Sequence, residues 1–192
     1  MKYCFSLLFV ALLTASAAVA QVKDVPPPPK PADEGPSLEV TMKFIQEKMS
    51  EQGKMNYAAY LHDAVNGSDW VNQFTIEDNN VLANAATCHI SYHYEATRGG
   101  EVVGGGDLGF DLKTVQNVTV MNREKDLDAT NADAGHPTWS SKVSPMIWAL
   151  IVSRKTGPNY MYFREEDTAN RVAKAIVHAV ELCGGGGDKE PF

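Results

Sequence analysis

The chain has 192 residues, 44% of them hydrophobic and 21% charged, with a formal net charge of −7 and three cysteines. An ordinary apolar fraction excludes a disordered chain, and the length suits one domain with at most a small appendage. The acidic balance argues against wholesale nucleic-acid binding, which needs a basic face to displace counterions from phosphate.

The chain opens on Met1-Lys2, followed by an apolar stretch that closes on Ala18-Val19-Ala20. A short positive region, an apolar core and an A-x-A site are the parts of a secretory signal peptide, with cleavage expected between Ala20 and Gln21. The strongly apolar core, from Phe5 to Leu13, is too short for the roughly 20 residues needed to cross hydrocarbon, so no integral span is expected. Cleavage leaves two cysteines, Cys88 and Cys183, in an oxidising compartment, periplasmic or extracellular. A disulfide between them would restrict the unfolded chain by about 4–5 kcal/mol in the loop-entropy model. Two buried free thiols are the other reading, because unpaired cysteine packs like a small hydrophobe.

Residues 21–36 carry Pro26–Pro29, Pro31 and Pro36 and read as an extended tether. Residues 184–192 begin with four glycines and read as a disordered tail. The folded domain is therefore expected over 37–183. Ser37 is placed to cap a first helix, with Glu39 in its first turn and Leu38, Met42, Ile45 and Met49 at helical spacing before Gly53.

After Gly53 the residues become β-branched and aromatic, predicting strands near 55–61, 70–77, 85–96, 101–111, 115–121, 145–153 and 159–163. On the third, Cys88, Ile90, Tyr92 and Tyr94 alternate with His89, Ser91, His93 and Glu95. The polar run from Asn122 to Ser144 reads as a long surface loop. The closing helix, from about Glu165 to Cys183, puts Ala169, Val172, Ala173, Ile176, Val180 and Cys183 on one stripe before Gly184.

Seven antiparallel strands and a closing helix resemble the layout of a pleckstrin-homology-like domain with an extra N-terminal helix. The stretches Pro36-Ser37-Leu38-Glu39 through Phe44-Ile45, and Phe163-Arg164-Glu165-Glu166-Asp167 through Leu182-Cys183-Gly184, resemble exported bacterial proteins. The resemblance implies an α+β, mainly β fold: a seven-stranded antiparallel barrel, or orthogonal sheets, capped by the C-terminal helix. It transfers no catalytic motif, because one fold hosts many binding functions. Phosphoinositide binding is poorly supported, since residues 61–70 hold His62, Asp63 and Asp69 but no Lys or Arg.

His89 and His93 would share a metal on a helix, but on a strand they lie about 13 Å apart. Glu95 with Asp107 or Asp111 offers an acid–base pair whose separation no spacing fixes. Gly104-Gly105-Gly106 lacks the Lys-Ser/Thr pair and following helix of a phosphate loop, and reads as a bulge. Trp139, in the expected loop, is the candidate partner-contact residue. The reading favoured is a non-enzymatic exported module with no cofactor or metal, acting at the cell envelope on a protein or peptide partner. The competing reading is a small-ligand carrier or hydrolase that uses His89, His93 and Glu95 at an open barrel end.

Overall fold

The computed structural model describes residues 35–185. The expected signal peptide (1–20), the tether up to residue 34 and the tail beyond Gly185 lie outside the described residues.

Helix α1 spans Leu38–Ser50, and Ser37 caps it by accepting a hydrogen bond from the Val40 N–H. Met42, Ile45 and Met49 are buried along one face, and Gly53, at φ +52°, turns the chain out of the helix. Four strands follow as a meander: β1 (Met55–Asp63), β2 (Ser68–Asn84), β3 (His89–Arg98) and β4 (Glu101–Asp111). A 3-10 turn, Leu112–Thr114, carries the chain to β5 (Val115–Asn122). Then come α2 (Arg123–Asp133), β6 (Trp139–Ser144), β7 (Trp148–Arg154), β8 (Asn159–Phe163) and α3 (Glu166–Leu182).

The strands form two antiparallel sheets. One has the order β4-β3-β2-β1-β6, the other β5-β7-β8. The molecule is thus α+β and mainly strand, but among the described residues the strands do not close into a barrel. Instead of seven strands, the described residues form eight. β4 pairs only with β3 and β5 only with β7, so the 3-10 turn between them ends one sheet and starts the other.

The expected loop over 122–144 is replaced by structure. Asn122 accepts from the Lys125 N–H as the cap of α2, and β6 then pairs with β1 from Asp63↔Trp139 to Ala58↔Ser144. The third strand also starts later than the residue pattern suggests. Cys88 sits at φ +53° in the turn before His89, so Ala85–Cys88 is a turn and not extended. β2 is longer than expected, running on to Asn84 through a register shift at Asn79–Leu82.

α3 carries the most apolar face. Ala169, Val172, Ile176, Ala179 and Val180 are buried against Leu150, Val152, Met161 and Phe163 of the smaller sheet, with Met42 and Ile45 of α1 in the same cluster. Each full aliphatic burial of this kind contributes about 1.5–3 kcal/mol. A second cluster gathers Met55, Tyr57, Ile76, Val143, Ile147 and Tyr162 between the sheets. The Cys88–Cys183 disulfide is formed, with Cα atoms 6.0 Å apart, and ties the end of α3 to the start of β3. No helix among the described residues is long and apolar enough to cross a membrane.

Candidate functional site

His89, His93 and Glu95 fall on the alternate side of β3 from the buried Ile90, Tyr92 and Ala96. His93 Nδ1 is 2.7 Å from Asp107 Oδ1 across the β3–β4 pair, while Glu95 is exposed opposite Gly105. Four strand rises keep His89 and His93 about 13 Å apart, so the pleat holds the three side chains in a row. Among the described residues no group of three or more His, Cys, Asp or Glu side chains is placed to hold a metal ion.

Trp139 is not an exposed loop anchor. It opens β6 half-buried, stacked on His136 at 3.9 Å and packed edge-on against Trp70 at 4.7 Å. Pairing with β1 fixes it in that place.

Between the sheets runs a polar seam that sequence reasoning missed. Asp78 of β2 is only 3% exposed. Its Oδ2 accepts from the Tyr162 N–H at 3.2 Å, and its Oδ1 has no partner among the described residues. Burial pushes the Asp78 carboxyl up to about 7, against the opposing pull of the Tyr162 N–H. Beside it Tyr92 donates to the Tyr160 carbonyl at 2.8 Å, and burial also raises this phenol. Further along, Arg123 donates to Asp126 and to the Tyr57 hydroxyl and lies 5.2 Å over the Tyr162 ring. Desolvation works against the Arg123 charge, but Tyr162, Tyr57 and Asp126 outweigh it and raise its pKa. A general base must reach a substrate proton; Asp78 and Tyr92 are walled in by the two sheets, so the seam holds them together instead.

The accessible feature lies on the smaller sheet. Among the described residues β5 is an end strand, with β7 on one side and no strand on the other. Val118 and Val120 stand two residues apart on β5, half-buried beneath Ala173 and Val177 of α3. Two hollows of about 410 and 270 Å³ adjoin there and share Val118, Val177 and Glu181. Together they follow β5 from Val115 to Val120, and Val177 is 46% exposed within them. Lys174, His178 and Glu181 of α3 line the same groove with polar groups. An end strand keeps backbone N–H and C=O groups free for another chain, and apolar hollows at alternate residues suit an extended segment. β5 itself was legible in the sequence; its free edge was not, because the pairing of β6 with β1 is a long-range choice.

No family model, curated protein or solved structure matches this chain.

Proposed function

We propose that this chain is an exported, non-enzymatic binding module that takes an extended peptide segment of a partner protein along β5. The free edge of β5 beside the α3 groove carries the reading: it joins unpaired backbone groups to apolar hollows spaced along one strand. About six residues of the partner would cover Val115 to Val120 at roughly 3.3 Å per residue. The element order supports a pleckstrin-homology-like plan, with a four-strand meander, then β5, β7 and β8, then a closing helix, and with α2 and β6 as an insertion. The Cys88–Cys183 bond and the Ala18-Val19-Ala20 site support export. Trp139 has little part in this reading, since Trp70 and His136 occupy its ring.

Selection from a displayed library of short peptides tests the reading, followed by affinity measurements on variants. The expected binders carry apolar residues at alternate positions. Val120→Lys or Val177→Lys should weaken them by about ten-fold or more, and Val71→Lys on the larger sheet should leave them unchanged. Binders indifferent to both groove substitutions would refute the groove.

A further inference from the structure

A separate hollow of about 320 Å³ opens between β4 and the β7–β8 turn. Tyr94, Arg154, Asn159 and Tyr160 line it, with Asp107 and Gly109 on the β4 side. Gly109 lets β4 lie close against β3 beside the hollow: a Cβ there would stand 3.0 Å from the Ile90 carbonyl and 2.8 Å from His89 Nε2.

The polar groups around this hollow are incompletely paired. Arg123 is matched by Asp126, Arg171 by Asp167, and Arg164 by the backbone carbonyls of Gln52 and Lys54. Arg154 is half-buried, and its Nε has no acceptor among the described residues. Asn159 is 4% exposed. Its amide nitrogen makes one long contact, 3.5 Å to the Tyr92 hydroxyl, and its Oδ1 has no donor. Burial raises the pKa of both Tyr94 and Tyr160, so each keeps its hydroxyl proton at neutral pH. A concave site walled by aromatic rings with a few convergent polar groups is the form of a small-molecule site.

We propose that this hollow binds a small organic carboxylate, its anionic group on the Arg154 guanidinium and its body between Tyr94 and Tyr160. The planar fork of a guanidinium matches a carboxylate with two parallel hydrogen bonds. Arg154 is the one cationic residue among the described residues lining the hollow, while the Asp107 carboxylate turns to the other strand face, toward His93. A single guanidinium with no second cation beside it suits a monoanion better than a phosphate dianion. The hollow shares no residue with the β5 groove, so the two sites succeed or fail separately.

Amide NMR on isotope-labelled full-length protein tests the proposal with benzoate, benzamide and inorganic phosphate. Benzoate is expected to give saturable shifts at Tyr94, Leu108, Gly109, Asn159 and Tyr160; benzamide and phosphate should not. Arg154→Gln should weaken benzoate by about ten-fold or more, and Arg154→Lys, which keeps the charge but loses the planar fork, by several-fold. The proposal is overturned by an absence of saturable benzoate shifts, by equal shifts with benzamide, or by displacement of benzoate with phosphate. Unchanged binding in either Arg154 variant also overturns it, and Arg154→Lys serves even where Arg154→Gln fails to fold.

Discussion

Asp78 concentrates the cost of packing the two sheets together. A carboxylate at 3% exposure with one oxygen unpaired is better held with its proton, and burial accordingly lifts it to about 7. On unfolding it returns to about 4. Because the folded value is the higher one, its contribution to stability is whole below about pH 4, is lost as pH rises toward 7, and changes little beyond. The loss is on the order of 4 kcal/mol. Asp78→Asn keeps an oxygen for the Tyr162 N–H and removes the charge. Denaturant unfolding at about pH 4 and about pH 8 should show this variant gaining on the native chain at the higher pH by several kcal/mol. An equal difference at both pH values would rule out a buried, titrating Asp78. The residue pattern held a trace of this position: Phe74, Ile76 and Asp78 alternate onto one face, but a strand expected to stop at residue 77 leaves Asp78 outside it.

Among the elements, the two amphipathic helices were legible and α2 was not, for a physical reason. α1 and α3 bury regular apolar stripes, and that periodicity survives in any context. Of its apolar residues α2 offers only Leu127 to the interior, since Ala129 and Ala132 are exposed. It is held by the Asn122 cap and by the Arg123–Asp126 pair, whose value depends on Tyr57 and Tyr162 from other strands. Asn122 with Glu124 and Asp126 in the first turn and Gly135 beyond the end were the available signals. β6 is six residues with two serines in its middle, and gains strand character from β1 rather than from its own sequence. The disulfide acts at this scale too. It closes a separation of 95 residues between two elements that local periodicity places correctly but cannot join. Cys88→Ser with Cys183→Ser should lower the unfolding free energy by about 3–5 kcal/mol. Hydrogen exchange should quicken first in the last turn of α3, at Ala179 to Leu182, where the bond anchors the helix. Unchanged protection there would mean that the apolar face alone fixes α3.

For the molecule as a whole, the two open sheets leave edges that are treated differently. β6 is short and lies beside α2, and β4 carries four glycines and a register shift opposite Ala96–Thr97. β5 keeps an apolar edge beside α3, a liability in a crowded compartment unless a partner covers it. Net charge works against self-association at that edge: 17 basic residues face 24 acidic ones, a formal −7. The export proposed above would link location to covalent stability, because cleavage after Ala20 would remove Cys4 and leave only the pair that bonds. Protein recovered after export should begin at Gln21 by intact mass and titrate with no free thiol under denaturing conditions. The same chain starting at Gln21, made in a reducing cytosol, should titrate with two thiols and unfold at lower denaturant, until oxidation restores the difference. Exported protein that still begins at Met1, or that carries two free thiols, would separate the disulfide from the compartment and remove the chemical ground for placing this module at the cell envelope.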